Sequence, residues 1–454
     1  MKNLITGILI LFFFIGCADR SGKDWLSPGD MKEDIRYFFH MIRDIHPDPY
    51  QRYDSMTFVT LEKKMIESCS VPMAREDFGW RLMKVRKFLD GHVAVFGFFS
   101  DLGRYRFPAV EFRGDQMLLG SDTLLAVRDS FASYTALDID SMIPWDQPSR
   151  FRNENMNLLL NLLLSPANKS TMTYTGVVKT SNGSRDTTIC VDTHRIINDS
   201  VYSKPYASAF HPEDSIAVLY YNTCMIYGED NVKQYRGFVD AFFSELKSKH
   251  IKYLFIDVTH NGGGSDGNNS VIINHLRTDE SITKVRMTGK KAGVEKYLKS
   301  DLVKKFFGEN EAEKNYWMER FGNPIMEKGI AFMEESTPAN KSGYDGNVFV
   351  IMGNKTYSAG ANFCLAIKQS HAAVLVGEEA GQYYPICGNV IRSALPNSKI
   401  QYQIPATETF YEPSALFEEG YIQPDIYYSI EEFLNVNNYK EIVKRCCKTA
   451  CYVR

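Results

Sequence analysis

Residues 346–370 read GNVFVIMGNKTYSAGANFCLAIKQS, and this stretch decides the fold class. Its first half is an apolar run of the length of one buried strand. Its second half places apolar residues at helical spacing, and a turn of small and polar residues joins the two halves. The stretch therefore predicts a strand, a tight turn and a helix, with Ser358 at the apex of the turn.

The same alternation of strand and helix recurs on both sides of this stretch. SIAVLYYNT (215–223) and AAVLVGEEAG (372–381) predict strands, and NVKQYRGFVDAFFSELKSKH (231–250) predicts an amphipathic helix. IKYLFIDVTHNGGG (251–264) predicts a strand that runs into three glycines. Such alternation is typical of a mostly parallel sheet covered on both faces, in which functional residues follow the carboxyl ends of the strands. Ser358 and the glycines both lie at such ends.

The rest of the chain has a different character, so we predict an α/β, multidomain protein. Residues 28–98 carry helical periodicity, and residues 99–205 are strand-like, with a hairpin around Asn182 and Gly183. The predicted organisation is a signal peptide (1–16), a tether (17–27), a helical domain (28–98), a β-rich middle region (99–205) and an α/β core (206–454) with a charged insertion at about 277–330. We interpret the insertion as a solvated helical excursion, and a segment that caps the site is the alternative.

Length and charge narrow the class of protein. The chain has 454 residues, which suffices for two or three domains, and 44% of them are hydrophobic, as in a folded protein. The formal net charge is −3, which gives no reason to expect nucleic acid as a partner.

The first 17 residues, MKNLITGILILFFFIGC, form an N-terminal leader. A lysine precedes an apolar run that is shorter than a typical transmembrane helix, which indicates a signal peptide. Cys17 follows a small residue and resembles the cleavage site of bacterial lipoproteins. That resemblance implies a lipid on Cys17 and a location in the bacterial cell envelope, periplasmic or surface-exposed. A plain secretory signal with an incidental cysteine is the alternative.

Ser358 needs several partners before it can act as a nucleophile. A serine hydroxyl requires a base, a group that orients the base, and donors for the oxyanion. The Ala359 N–H would lie at a helix N-terminus, and the glycine run 262–264 would let backbone N–H groups turn toward a ligand. Taken singly, these residues leave a structural interpretation open, with Ser358 as a helix N-cap and the glycines as a tight turn.

Taken together, LFIDVTHNGGGS, VFVIMGNKTYSAGA and VLVGEEAG resemble the catalytic core of C-terminal processing (tail-specific) serine peptidases. HPDPY, LDGHVAV and EEGYIQPDI extend the resemblance. It implies a crotonase/ClpP-like core behind a helical N-terminal part and a middle β part, and an activity that cleaves polypeptides. It also implies that Ser358 is the nucleophile and that the amides of Ala359 and of Gly263 or Gly264 bind the oxyanion. The middle region has no clear PDZ signature, so recognition of a free C-terminus is not supported.

The general base departs from the pattern of the best-known members of this family. Many of the members that this chain resembles use a lysine in the turn after the VGE strand. Gln382 stands at that position here, and its amide cannot accept the proton of the serine hydroxyl. The tricorn-like branch uses a histidine and a glutamate, and the resemblance places them at His92 and Glu418, with Gly91 where tricorn has a serine. We therefore predict a catalytic set of Ser358, His92 and Glu418, in which the carboxylate orients the imidazole.

Two other functions stay open beside the peptidase. A catalytically inactive lipoprotein that binds a peptide or another ligand would keep the fold, and the missing lysine favours it. Crotonase-type acyl-CoA chemistry shares the fold and the oxyanion hole, but the leader and the serine argue against it. The chain has no metal-ligand spacing of a known type, so we predict no metal and no cofactor. We expect His260 to line the wall of the site and His46 to close the first helix.

Overall fold

The computed structural model describes residues 25–98, 110–128, 133–163, 173–190, 201–301, 303–304, 325–327, 330–411, 417–418, 420–430 and 439–448. The chain divides into two compact units, residues 1–198 with 390–405 and residues 199–389 with 406–454. Helices and sheets occur in both, which confirms the predicted α/β, multidomain class. The predicted signal peptide and Cys17 lie outside the described residues.

Three helices open the first unit: α1 (Pro28–Ile45), α2 (Ser55–Ser68) and α3 (Arg75–Met83). A capping box starts α1, since the Ser27 hydroxyl accepts from the Asp30 N–H at 3.2 Å and the Asp30 carboxylate accepts from the Ser27 N–H at 3.3 Å. The residues predicted to form its apolar face are all buried: Ile35, Phe38, Phe39, Ile42 and Ile45. His46 caps the C-terminus with a 3.0 Å bond from its N–H to the Ile42 carbonyl, as predicted.

The first unit also contains an antiparallel sheet. The other strands and helices of this unit are β1 (Trp25–Leu26), β2 (Met73–Ala74), β3 (Ala94–Phe96), β4 (Val110–Arg113), β5 (Gln116–Leu119), β6 (Asp122–Arg128), β7 (Ser133–Tyr134), α4 (Ala136–Asp140), α5 (Arg152–Leu163), β8 (Thr173–Thr180) and β9 (Gly183–Cys190). The sheet has the order β4-β5-β6-β8-β9, β7 pairs with β6, and β1 and β2 form a separate pair. Thr180 pairs with Gly183 across the β8–β9 turn, which confirms the predicted hairpin.

Residues 390–405 belong to the first unit although they come late in the chain. The buried Asp34 carboxylate on α1 accepts the backbone N–H groups of Asn397 and Ser398, each at 2.9 Å. The Arg75 side chain on α3 donates to the Ser398 carbonyl at 2.6 Å. Residues 401–403 pair with β3 in antiparallel register. The predicted division of the chain at residue 206 did not include this return, because nothing in local sequence pattern reports a pairing across some 300 residues.

The second unit is built on the α/β alternation that the sequence predicted. Its strands are β10 (Tyr206–His211), β11 (Ile216–Tyr221), β12 (Tyr253–Asp257), β13 (Ile282–Lys290), β14 (Ile325–Glu327), β15 (Ile330–Thr337), β16 (Asn347–Met352), β17 (Val374–Gly377), parts of β18 (Ile386–Ala394) and β19 (Gln401–Tyr411), β20 (Phe417–Glu418), β21 (Tyr421–Ile422) and β22 (Ile426–Tyr427). Its helices are α6 (Glu229–Ser248), α7 (Gly267–Ile273), α8 (Lys291–Leu298), α9 (Ala359–Gln369) and α10 (Tyr439–Lys448).

The central sheet of this unit has the order β10-β11-β12-β16-β17-β22. Only the β10–β11 pair in this described sheet is antiparallel, and the other four pairs are parallel, so the predicted mostly parallel sheet is confirmed. The β11–β12–β16 order brings the carboxyl ends of β12 and β16 next to each other. The glycine run and Ser358 follow those two ends, which is the arrangement that places functional residues together in such sheets.

Both faces of the central sheet are covered. Leu254 and Ile256 of β12 face a core that includes Phe242 of α6 and Phe363 of α9. Phe255 lies between them in sequence and faces the opposite core, where it contacts Tyr439 of α10 at 4.8 Å between ring centroids. Burial on both faces explains why these strands read as continuous apolar runs.

The charged insertion is helical only in part, so the prediction of a helical excursion is wrong for its first half. That half contains the nine-residue strand β13, which pairs antiparallel with β15 and with residues 408–411 of β19. Helix α8 and the helical residues 301, 303 and 304 follow the predicted state. Pairing with distant strands overrides the helical preference of a charged segment. In the part of the chain that the structure describes, no helix combines the length and hydropathy that a membrane crossing needs.

Candidate active site

Ser358 lies at the turn between β16 and α9, as predicted. Its backbone angles are φ 52° and ψ −126°, a combination that residues with a side chain rarely adopt. Such a conformation costs roughly 1–3 kcal/mol and persists where surrounding contacts enforce it, commonly at functional sites. Ser358 occupies the N-cap position of α9, but its side chain makes no capping hydrogen bond. The structural interpretation of this serine as an ordinary helix cap is therefore wrong.

Contacts on both sides enforce the conformation of the turn. The Ser358 N–H donates to Oε1 of Gln382 at 2.5 Å, and the Gln382 side chain is buried. The Tyr357 N–H donates to the Asn261 carbonyl at 3.0 Å, and the Thr356 hydroxyl donates to the Val258 carbonyl at 2.8 Å. Gln382 therefore holds the backbone of Ser358 in position. It stands where the resemblance predicts a lysine.

The glycine run passes directly beside the serine. Gly263 has φ +102°, and a Cβ at this position would lie 2.6 Å from the Ser358 Cβ and 3.0 Å from the Ala359 nitrogen. Gly264 has φ +141°, and a Cβ there would lie 2.2 Å from the carbonyl carbon of Cys224. Both positions thus require glycine for conformation and for space. The structure brings Ser358, Ala359 and Gly263 together, as the predicted oxyanion arrangement needs.

The amide groups around the serine differ in availability. The Ala359 N–H opens helix α9 and has no hydrogen-bond partner among the described residues, and the same holds for the Gly264 N–H. The Gly263 N–H donates to Oδ1 of Asn261 at 3.0 Å. The prediction of Gly263 as an open oxyanion donor therefore disagrees with this conformation, in which its amide is already engaged. Position 263 requires glycine because any side chain there would clash with Ser358.

Asn261 is a site residue that sequence reasoning missed. Its Nδ2 donates to the Tyr221 carbonyl at 2.9 Å, and its Oδ1 accepts from Gly263 and from the Cys224 thiol at 3.3 Å. Through its carbonyl it also holds Tyr357. The sequence contained a signal that could have identified it, because an asparagine directly before a glycine run at a strand end commonly bonds to nearby backbone groups.

In the first unit, the buried carboxylate of Asp90 binds two histidines. Oδ1 lies 3.2 Å from Nδ1 of His92 and accepts the His92 backbone N–H at 2.8 Å. Oδ2 lies 2.6 Å from Nε2 of His46. The segment is further fixed by Gln403, whose amide donates to the His92 carbonyl at 3.0 Å, and by Asp146, which accepts the Gly91 N–H at 2.9 Å. His92 therefore has a single well-defined orientation within this unit.

The charge on Asp90 fixes the tautomer of His92. Burial alone would raise the pKa of the Asp90 carboxyl, but the hydrogen bonds from His46 and His92 hold that pKa well below its ordinary value. An ionised carboxylate accepts, so Nδ1 of His92 carries a hydrogen and donates it to Asp90. In a neutral ring, Nε2 is then the nitrogen that can take a proton. This is the state that a general base requires.

Asp90 makes the contact with His92 that was predicted for Glu418. Nδ1 of His92 has one hydrogen, and it already points to Asp90 Oδ1. Glu418 lies in the short strand β20, and its side chain is outside what the structure describes, so its role stays a prediction. The sequence prediction did not use the D-x-H spacing of Asp90 and His92, which puts a carboxylate two residues before the ring.

Two other side chains that could accept a proton, those of His260 and Lys368, make different contacts. The Tyr202 ring stacks on His260 at 4.1 Å, and Nδ1 of His260 bonds to the Thr259 hydroxyl at 3.0 Å. Burial and then the charge of Lys355 lower the pKa of His260 to about 3, so its imidazole is neutral and weakly basic. Lys368 donates to the Gln423 carbonyl at 2.8 Å. The prediction that His260 is a wall residue and not the base agrees with these contacts.

Comparison with known proteins finds a family match that lies mostly in the second unit. Residues 222–428 match the family model described as peptidase family S41. Over these residues the chain is similar to the S41 peptidases. Ser358, Gly263 and Gln382 all lie inside the matched residues, whereas His92 and Asp90 precede them. A search of curated protein sequences finds no match.

Solved structures share the fold over most of the chain. Mature CPAF aligns with a TM-score of 0.58 and 13% identity, covering 93% of this chain and 97% of that one. A mutant of CPAF aligns with a TM-score of 0.59, 12% identity and the same coverage. CPAF complexed with lactacystin aligns with a TM-score of 0.56 and 13% identity, covering 93% and 98%. At this level of identity the similarity concerns the fold, and it reaches well beyond residues 222–428.

Proposed function

We propose that this protein is a serine peptidase that cleaves polypeptides through an acyl-enzyme on Ser358, with His92 as the general base. The observation that carries the proposal is the strained backbone of Ser358, held between Gln382 and Asn261 beside the unpartnered amide of Ala359. A serine with only a structural role has no need of a conformation that costs stability. The match of residues 222–428 to the S41 family model supports a peptidase.

In the proposed acylation step, Nε2 of His92 takes the hydroxyl proton of Ser358 while Oγ attacks the carbonyl carbon of the scissile peptide bond. The carbonyl oxygen becomes an oxyanion, which the Ala359 N–H at the start of α9 is placed to bind. The C–N bond then breaks, and the imidazolium of His92 gives its proton to the leaving amine. Asp90 stabilises that imidazolium through Nδ1.

In the proposed deacylation step, His92 takes a proton from water and the resulting hydroxide attacks the ester carbon. The ester C–O bond breaks, Ser358 regains its proton from His92, and the carboxylate product leaves. Gly263 can serve as a second oxyanion donor in these steps only after its N–H leaves the Oδ1 of Asn261, while Gly264 has an amide without a partner among the described residues. We retain both glycines as binding residues for the substrate backbone.

We further propose that the protein is exported and lipid-anchored through Cys17 in the bacterial cell envelope, and that its core is of the crotonase/ClpP type. The support for the anchor is the leader, in which a lysine, an apolar run and a small residue precede the cysteine. Substrates would then be polypeptides that reach the envelope side of a membrane.

The decisive experiment is active-site labelling of the full chain, solubilised in mild detergent, with a fluorophosphonate probe. Mass spectrometry would locate the adduct. The variants are Ser358→Ala, His92→Gln and, as a matched control, His40→Gln at an exposed histidine of α1 with a side-chain exposure of 65%. We expect a single adduct on Ser358 in the wild type and in His40→Gln, no adduct in Ser358→Ala, and labelling at least roughly 100-fold slower in His92→Gln.

Each outcome has a clear meaning. An adduct on Ser358 that forms as fast in His92→Gln as in the wild type would remove His92 from the mechanism. A folded wild-type protein that never reacts would overturn the peptidase and leave a binding protein with the same fold. Labelling that follows the expectation would be extended to cleavage of a peptide library.

A further inference from the structure

His46 shares the Asp90 carboxylate with His92, and the mechanism above does not use it. The side chains of His46, Asp90 and His92 are all buried, with residue exposures of 2%, 4% and 3%. The bond between Nε2 of His46 and Oδ2 of Asp90, at 2.6 Å, is shorter than the 3.2 Å contact between Asp90 and the His92 ring. The better bond of this carboxylate is thus made to the histidine outside the predicted catalytic set.

The other ring nitrogen of His46 determines its charge. Nδ1 of His46 is buried and has no hydrogen-bond partner among the described residues. A protonated His46 would bury an N–H at Nδ1 without an acceptor, which carries the full desolvation penalty of a charged donor. A neutral ring with its hydrogen on Nε2 avoids this and still donates to Asp90. The contacts therefore favour a neutral His46 that acts as a fixed donor.

We propose that His46 is a positioning residue that holds the Asp90 carboxylate in the plane from which Oδ1 receives both N–H groups of His92. This inference rests on the proposed function, because it assigns a role to the support of the base. Backbone geometry contributes: His46 caps α1 and is followed by Pro47, so its main chain is fixed before the side chain reaches Asp90.

The neutral state of His46 matters for the charge balance. With His46 neutral, the three side chains carry a net charge of minus one at rest, and protonation of His92 neutralises them. A cationic His46 would cancel the charge of Asp90 in advance and oppose the imidazolium of His92. Two further charged side chains bond to this segment: Arg86 donates to the Val93 carbonyl at 3.2 Å, and Asp146 accepts the Gly91 N–H. Both bond to the backbone of the loop.

The test compares two substitutions of nearly equal shape in the full chain. His46→Gln keeps an N–H donor at the place of Nε2, and His46→Met fills similar space without one. The rate of fluorophosphonate labelling of Ser358 is expected to fall roughly 10- to 100-fold in His46→Met, as it does when partners that orient a functional histidine are lost, and to recover in His46→Gln to within a few-fold of wild type. KM for a peptide substrate should change little in either, since His46 acts on kcat through Asp90 and His92.

A second measurement needs neither activity nor a variant that might fail to fold. Nitrogen-15 NMR of histidine-labelled wild-type protein near neutral pH should show His46 as the neutral tautomer with hydrogen on Nε2. It should also show a strongly deshielded Nδ1 proton on His92, assigned by its disappearance in His92→Gln. In His46→Met this proton is expected to move upfield.

The outcomes separate this inference from the proposed function. Wild-type labelling that depends on His92, together with unchanged labelling in a folded His46→Met, would overturn the role of His46 and leave the peptidase intact. A cationic His46, or one with its hydrogen on Nδ1, would also overturn it. Labelling that does not depend on His92 would overturn its role as general base. The NMR result would still decide whether His46 orients the Asp90 carboxylate.

Discussion

The backbone N–H of Ser358 and the side-chain Oε1 of Gln382 are joined by a 2.5 Å hydrogen bond. The bond turns the serine's own amide away from a substrate and into the protein, and it supports a φ of 52° that the residue would not adopt by itself. Gln382 thus stands where the resemblance implies a lysine, and it makes a different contact. It fixes the backbone of Ser358, and in the proposed mechanism another residue takes the proton.

Gln382→Met should remove this support with little change of shape. The part-buried Ser358 N–H would lose its acceptor, which costs up to about 1–3 kcal/mol of unfolding free energy, and labelling of Ser358 should slow. Urea unfolding measures the first effect. Gln234→Met on the exposed surface of α6 is the control and should change stability by less than about 0.5 kcal/mol. Gln382→Lys should also lose reactivity, and a gain in labelling would contradict the role assigned to Gln382.

Ser358→Gly should be more stable than Ser358→Ala by about 1 kcal/mol. Glycine adopts positive φ without strain, and this outweighs its larger conformational entropy in the unfolded chain. The same pair of substitutions at Ser244, inside α6, should show the opposite order, because alanine is the better helix former by about 1 kcal/mol. Chemical denaturation of the four variants provides the comparison. An equal preference for alanine at both positions would mean that Ser358 is not strained in solution.

Gly263→Ala should abolish labelling of Ser358 and lower stability. The added Cβ would lie 2.6 Å from the Ser358 Cβ, and backbone atoms of the turn would have to move. Strain and overpacking of this kind cost about 1–3 kcal/mol. Gly237→Ala is the matched control, since it lies inside α6 with nothing within 4 Å and should raise stability by up to about 1 kcal/mol. Normal labelling in a well-folded Gly263→Ala would exclude this glycine from the site.

Asp90→Asn should destabilise the protein in a pH-dependent way. Because the folded state lowers the pKa of Asp90, its contribution to stability is fully present above the ordinary pKa of about 4 and is lost as the pH falls below that value. We expect a loss of roughly 1–3 kcal/mol at neutral pH, and a smaller difference from wild type as the pH is lowered below about 4. Unfolding curves at several pH values test this. A difference that grew on acidification would refute the assigned charge state.

Asp44→Asn is the control for Asp90→Asn. Asp44 makes a surface contact with His40 at 3.5 Å, one helical turn away on α1. Exposed pairs of this type contribute below about 1 kcal/mol, so this variant should unfold close to wild type at neutral pH. It should also label at the wild-type rate. Asp90→Asn should label far more slowly, because an amide in place of this carboxylate could hold the wrong tautomer of His92.

Cys17→Ser should release the protein from the membrane fraction. Lipid on the cysteine would anchor the exported chain, and a serine at the same position cannot carry it in the same linkage. Growth with an alkyne fatty acid, followed by click detection and fractionation, measures both effects. Cys451→Ser near the C-terminus is the control and should remain lipid-labelled. Absence of fatty acid from the wild-type protein would point to an ordinary secretory signal, and incorporation that survives Cys17→Ser would place the lipid on another residue.

Local pattern sufficed for much of the second unit. The apolar runs of β11, β12 and β16 and the amphipathic period of α6 are properties of neighbouring residues, so their states and the mostly parallel sheet could be predicted. The placement of Ser358 and the glycines at adjacent strand ends followed from that topology. The charged insertion was mispredicted because β13 is a strand only through its pairing with β15 and β19.

The sequence by itself determined the residues that the proposed chemistry uses, namely Ser358, His92 and a glycine run, together with the α/β architecture that presents the serine. Tertiary structure alone decided how those residues are held. The bond from Ser358 to Gln382, the engagement of the Gly263 amide by Asn261, and the sharing of Asp90 between His46 and His92 are set by side-chain directions and burial. Distance and orientation govern hydrogen bonds and proton affinities, and they arise only when segments far apart in the chain are packed together.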